Sequence, residues 1–342
     1  MKGGDRLLSQ RDTSVDALRG FGMLLVIGGH IFSGPWTHYI YSFHMPLFFF
    51  LSGLCLARRP AAGPFGAHVL KKCRTILLPY VVFFCLSLLL ANLRFTGGVP
   101  AWNSEAALPG ILKALVLSGG YLNAIPLYNF PLWFLPHFFL ADLLFYWIRR
   151  GLCALPGGWV RQLSSAAAAL VLIVLTGPVQ TLLPGRPALH INVLPASLAF
   201  MLLGLLFEPL PRCGLWRFAP WAAPLLLLSG YLLQELNGGG NISNIRTLLY
   251  YPAALCSILA WYSICQRFQS PILTFIGREA VLFLGLHLPV FTRLVRFPSP
   301  AFLTNATVYD ALRLLAGLAV LSLLALAIRW IKKIFSQKTG AL

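Results

Sequence analysis

Apolar runs recur from one end of the chain to the other, separated by short stretches carrying Arg, Lys, Gly and Pro. A helix needs about 20 such residues to cross a ~30 Å hydrocarbon core. The alternation predicts an all-α, polytopic membrane helix bundle of about ten transmembrane helices. The predicted spans are about 17–34, 39–57, 76–93, 130–148, 163–183, 190–208, 219–236, 247–266, 274–292 and 311–331. The segment 107–118 is apolar on one face, carries Lys113 and is too short to cross, so it reads as an interfacial or re-entrant piece. Residues 1–342 read as a single membrane-embedded domain with a core at about 11–331, because neither an internal repeat nor a separate soluble region interrupts them.

Composition sharpens this picture. Only 11% of the residues are charged and 58% are hydrophobic, where a soluble domain carries about 25% charged residues. The net charge is +18, from 27 Lys+Arg against 9 Asp+Glu. In a soluble protein such an excess points to nucleic acid. Here the cations flank the apolar runs, so they orient the chain in a bilayer and no nucleic-acid partner is expected. An even number of spans puts both termini on one side. With that side cytoplasmic, 19 of the 27 basic residues fall inside, 7 fall outside and Arg19 lies within the first span. Arg293 and Arg296, at an outer end, run against the trend. The basic start followed by an apolar run has the outline of a signal peptide. Arg19 and His30 break that run and no small-residue cleavage site follows promptly, so a retained first helix is expected. The 7 cysteines show neither metal-ligand spacing nor a disulfide framework and read as packing residues, with no metal expected.

Ionisable residues inside spans are costly and mark function by default. Asp16, Arg19, His30, His44, His137, Asp142, Glu279 and His287 are of this kind. Arg19 and His30 are 11 residues apart, which is about 16.5 Å of helical rise and a rotation that returns to within ~20° of the start. Both therefore project from one face of the first helix, with Asp16 three residues before Arg19 and able to pair with it. A tight hairpin near Gly34-Pro35 would bring His44 to the depth of His30, and His287 lies at a comparable depth. Imidazoles so grouped supply a general base and either a second base or an orienting partner. The alternative is a snorkelling arginine, a His bonded to a neighbouring helix and an interfacial belt of Tyr41, Ser42 and His44. For His137 and Asp142, structural hydrogen bonds are the favoured reading. Arg58, Arg59, Lys71, Lys72 and Arg74 form the densest cationic cluster, suited either to topology or to a phosphorylated ligand. Ser52-Gly53 permits close helix approach, or lets a thin ligand chain lie along the backbone.

Several of these stretches carry a family resemblance. Val15-Asp16-Ala17-Leu18-Arg19-Gly20 with His30, and Ser42-Phe43-His44-Met45-Pro46-Leu47-Phe48-Phe49-Phe50-Leu51-Ser52-Gly53, resemble the acyltransferase-3 family of integral membrane acyltransferases. The wording is nearest the fucose 4-O-acetylase-like branch. Lys71-Lys72-Cys73-Arg74 leading to Leu78-Pro79-Tyr80 is similar to the same family, as are Leu132-Trp133-Phe134-Leu135 and Phe275-Ile276-Gly277-Arg278-Glu279 through His287-Leu288-Pro289. Family members usually carry more arginine where this chain has Lys71 and Lys72. The resemblance spans about 11–331 and implies an acetyl-CoA-dependent O-acyltransferase of the bacterial inner (cytoplasmic) membrane. The implied donor is acetyl-CoA, or another acyl-CoA such as succinyl-CoA. The implied acceptor is a hydroxyl of a cell-surface or lipid-linked glycan. On this reading His30 is the base, with Arg19, His44, Asp16 and His287 around it. Arg58, Arg59, Lys71, Lys72, Arg74, Ser52 and Gly53 then receive the donor. The competing class is a proton-coupled transporter or flippase using the same intramembrane His and Asp groups, which predicts a pseudo-symmetric repeat with paired broken helices. No second copy of the Arg19-to-His30 spacing occurs.

Overall fold

Asp12 starts the first helix, its carboxylate accepting hydrogen bonds from the amides of Ser14 and Val15. The computed structural model describes residues 12–32, 34, 36–59, 63–92, 107–118, 129–295 and 306–339. In chain order the α-helices are α1 (Thr13–Ile31), α2 (Trp36–Ala57), α3 (Phe65–Lys72), α4 (Leu78–Asn92), α5 (Ala107–Leu117), α6 (Phe134–Ala154) and α7 (Trp159–Leu182). There follow α8 (Leu194–Phe207), α9 (Ala219–Leu236), α10 (Tyr250–Arg267), α11 (Pro271–Arg278), α12 (Ala280–Pro289) and α13 (Ala306–Thr339). Among the described residues the remaining regular structure is short helical turns and one isolated bridge, Asn241 to Asn244.

Seven helical stretches among the described residues are long and apolar enough to cross a membrane: Thr13–Ile31, Trp36–Ala57, Phe65–Leu90, Phe130–Ala154, Trp159–Leu182, Ala188–Phe207 and Thr307–Ile334. A bent pair, Pro271–Arg278 with Ala280–Thr292, makes eight. Among the described residues the protein is thus all-helical, with the spans of a multi-pass membrane protein. The expected ten differ from this count at α9 and α10, which occupy the places of two predicted spans. α9 carries Pro220 and Pro224 and has Gln234 and Glu235 in its last turn. α10 carries Ser257, Ser263 and Gln266 and turns Tyr250, Tyr262, Ser257 and Ser263 into the bundle, where they are buried. A helix surrounded by other helices needs less apolar surface than one facing lipid. The predicted span 274–292 is likewise not one straight helix: it bends by 81° at Glu279. The connection between the predicted spans 39–57 and 76–93 is helical from Phe65 onward and joins α4 through a π-turn, Cys73–Leu77. Pro79 follows that turn. Its ring clashes with the carbonyl four residues back in a regular helix, and the wider turn, with Leu78 N–H donating to Cys73, lies over that position.

Glycine backbones set the closest helix crossings. Where α2 meets α8, Gly53 lies against the Met201 carbonyl and Gly204 against that of Phe50, and a Cβ on either would collide with backbone. Where α1 meets α11, Gly20 and Gly277 do the same against Leu273 and Asp16. These two contacts hold α1 and α2 at the centre. Their inner faces (Leu18, Ile27, Phe43, Leu47, Phe49 and Leu54) are fully or almost fully buried.

Candidate active site

Two adjoining cavities run along the face of α1 that carries Arg19 and His30. The end of the bundle at the start of α1 is called proximal and the other distal. The proximal cavity, about 380 Å³, is lined by Arg19, Ser52, Arg59, Lys72 and Thr75 among mainly apolar side chains. The distal cavity, about 320 Å³, is lined by His30, Tyr41, His44, Trp133, Arg186, His190, Asn241 and Ser243. Val26, Met45, Phe134 and Leu284 line both, so an apolar waist joins them. A third cavity of about 420 Å³ adjoins the proximal one, sharing Leu56, Arg59, Lys72 and Thr75 and adding His68, Lys71, Asp142, Tyr146 and Arg149.

Three of the predicted histidines come together at the distal end. His30 faces the cavity, with Phe130 edge-on at 5.1 Å and the His287 ring stacked on it at 5.4 Å between centroids, inclined by 21°. His287 is fully buried behind it. Its Nδ1 lies 2.8 Å from the Leu284 carbonyl, and Nε2 has no partner among the described residues. His44 Nδ1 lies 2.9 Å from the Ile40 carbonyl. A carbonyl only accepts, so in both rings Nδ1 carries the hydrogen and Nε2 the lone pair, the tautomer in which Nε2 acts as base or acceptor. His137 is different. Its Nδ1–H donates to the Leu189 carbonyl at 2.9 Å and its Nε2 accepts from Ser197 at 2.8 Å, so both nitrogens are occupied and it serves packing.

At the proximal end Asp16, almost fully buried, accepts from Arg19 at 3.0 Å and Arg278 at 3.3 Å. Arg19 also reaches Cys55 Sγ at 4.0 Å. Of the cationic cluster, Arg59, Lys71 and Lys72 line the cavities. Arg58 and Arg74 do not. Arg58 pairs with Asp12 at 2.5 Å and donates to the Tyr262 hydroxyl at 3.0 Å, tying α2 to the start of α1 and to α10. Of the small pair, Ser52 faces the proximal cavity, whereas Gly53 packs against the α8 backbone at the helix crossing.

Sequence reasoning passed over two histidines that line these cavities, His68 and His190. His68 and Lys72 both bind the fully buried Asp142, at 2.6 Å and 2.5 Å, which gives that carboxylate the structural hydrogen bonds expected of it. The signal was the helical spacing of His68, Lys71, Lys72 and Thr75, which all line one cavity. His190 sits in a turn, distant in sequence from any motif, and left no such trace.

A comparison with curated proteins finds no match. The model of the acyltransferase-3 family, described as an acyltransferase domain, matches residues 12–331. With nearly its whole length matched and a helical membrane bundle around these cavities, the chain belongs to the acyltransferase-3 family of membrane acyltransferases.

Proposed function

We propose that the protein transfers an acetyl group from cytoplasmic acetyl-CoA to a hydroxyl of a cell-surface or lipid-linked glycan, in a bacterial inner membrane. The proximal end is then cytoplasmic, the bundle crosses about ten times and both termini lie inside. The observation that carries this reading is the pair of cavities on one face of α1, with Arg19 at one end, His30 at the other and an apolar waist between.

The donor's phosphates meet Arg59, Lys71, Lys72 and Arg149 around the third cavity. The pantetheine arm passes Arg19 and Ser52 through the proximal cavity and brings the thioester to the waist. His30 removes the proton of the acceptor hydroxyl, whose oxygen attacks the thioester carbonyl carbon. The C–S bond breaks, the acetyl ester forms, and the CoA thiolate takes the proton from the His30 imidazolium. His287, stacked on His30, fixes its ring, and His44 lines the same cavity. Attack by His30 itself, giving an acyl-imidazole that the acceptor then discharges, uses the same groups.

The transporter class calls for paired broken helices, and the described residues hold one bent pair. The deciding experiment supplies membranes with radiolabelled acetyl-CoA and measures label in glycan. General-base catalysis contributes about 10²–10⁴-fold, so His30→Ala is expected to lose that much. Unchanged transfer by the variant would overturn the assignment.

A further inference from the structure

The distal cavity carries a second set of polar groups that the acetyl-transfer chemistry leaves unused. His190 is 2% exposed and lines the cavity, yet neither of its ring nitrogens has a partner among the described residues. Its buried neighbour His137 has both nitrogens satisfied. Leaving a buried polar group unpaired is costly, so His190 is built to meet something that enters the cavity. Its surroundings are rigid. Leu189 and His190 both hold left-handed backbone, φ 52° and 50°, a strained conformation that persists only where neighbours enforce it. The His137 imidazole donates to the Leu189 carbonyl, His190 N–H donates to Pro187 at 3.0 Å, and Trp133 packs on the His190 ring at 4.1 Å.

Arg186 leaves the same turn and lines the same cavity. Asn192 anchors the turn by donating to the Leu183 and Gly185 carbonyls at 3.1 Å and 3.2 Å. Arg186 is exposed, and among the described residues no carboxylate pairs with it. The described lining of the distal cavity contains no Asp or Glu. It presents one guanidinium, three imidazoles, a tryptophan and amide and hydroxyl groups.

The geometry points to an acceptor carrying an anionic group, a carboxylate or phosphate on the sugar, bound by Arg186 with His190 hydrogen-bonding the adjacent hydroxyl. This rests on the distal cavity being the acceptor site of the acetyl-transfer reading. A guanidinium grips a carboxylate or phosphate through two parallel hydrogen bonds. A neutral imidazole offers one donor and one acceptor, which suits a sugar hydroxyl next to that group. His30 on the same cavity then meets a further hydroxyl of a sugar fixed at its charged end.

Saturation-transfer NMR on the full-length protein in lipid nanodiscs tests this with three probes: methyl glucoside, methyl glucuronide and glucose 6-phosphate. At least one charged probe is expected to bind tenfold or more tightly than the glucoside, and which one does so identifies the anion. Arg186→Gln is expected to abolish that preference, Arg186→Lys to keep part of it, and His190→Gln to weaken the charged sugar while leaving the order of preference. Equal binding of charged and neutral probes, absence of charged-probe binding, or a preference that survives Arg186→Gln overturns the proposal. Labelled acetyl-CoA in the same nanodiscs separates the two readings. An Arg186-dependent preference without acetyl transfer sinks the acetyltransferase assignment alone. Transfer to the glucoside as fast as to the charged sugars sinks the anionic acceptor alone.

Discussion

Arg58 and Arg59 stand side by side in the sequence and do different work. Arg59 lines the two proximal cavities, while Arg58 turns toward Asp12 and Tyr262 and binds three helices together. Charge-assisted hydrogen bonds contribute about 1.5–3 kcal/mol each, which gives the two variants separate signatures. Arg59→Gln is expected to raise the KM for acetyl-CoA by about tenfold to a hundredfold with little change in thermal stability. Arg58→Gln is expected to lower the melting temperature in detergent while the donor KM stays near its normal value. Initial-rate kinetics and thermal unfolding on the same preparations check both. The candidate role of His30 was readable in advance because an 11-residue separation on one helix is a geometric statement. The partners of Arg58 were not readable, since Asp12 and Tyr262 are 46 and 204 residues away from it.

Helix geometry explains the deviations from the expected spans. The break at Glu279 sits where Gly277 meets the Asp16 carbonyl, Arg278 binds Asp16 and Glu279 binds Arg329 of α13. Those contacts hold α11 against α1 while α12 turns away and carries His287 to His30. The π-turn before Pro79 similarly joins α3 to α4, and α3 sets His68, Lys71 and Lys72 along the third cavity. The α2–α8 crossing is the most direct place to test packing. Gly53→Val puts side-chain atoms into the Met201 backbone, where no rotamer relieves the overlap. A loss at or above the about 1–3 kcal/mol usual for overpacking is expected, read as a lower unfolding midpoint in detergent. Ser52→Val, one residue earlier and facing the cavity, is expected to leave that midpoint nearly unchanged.

Across the bundle the three adjoining cavities change character from one end to the other. The proximal end is cationic, the waist is apolar, and the distal end holds imidazoles and one arginine. A reaction between a charged soluble donor and an acceptor on the far side of a membrane needs that sequence of environments. The proposed orientation puts the turn near Gly214 and the end of α13 in the cytoplasm, and the glycine turn Gly238-Gly239-Gly240 outside. Single cysteines introduced at Gly214 and Gly239, in a chain freed of its own 7 cysteines, are therefore expected to react with a membrane-impermeant thiol reagent from opposite sides. Labelling of both from one side would remove the orientation and, with it, the cytoplasmic donor.

From the order of residues alone come the helical membrane class, the family, and the shared face of Arg19 and His30. All three depend on local periodicity or on contiguous motifs, and a bilayer makes periodicity unusually informative because its core demands long apolar helices. Tertiary structure decided which groups meet. It stacked His287 on His30, gave Asp142 to His68 and Lys72, withdrew Arg58 and Gly53 into packing, and set His190 with Arg186 in the distal cavity. Such pairings depend on how helices far apart in the chain cross, and a crossing is the joint outcome of many side-chain contacts that no single stretch of sequence contains.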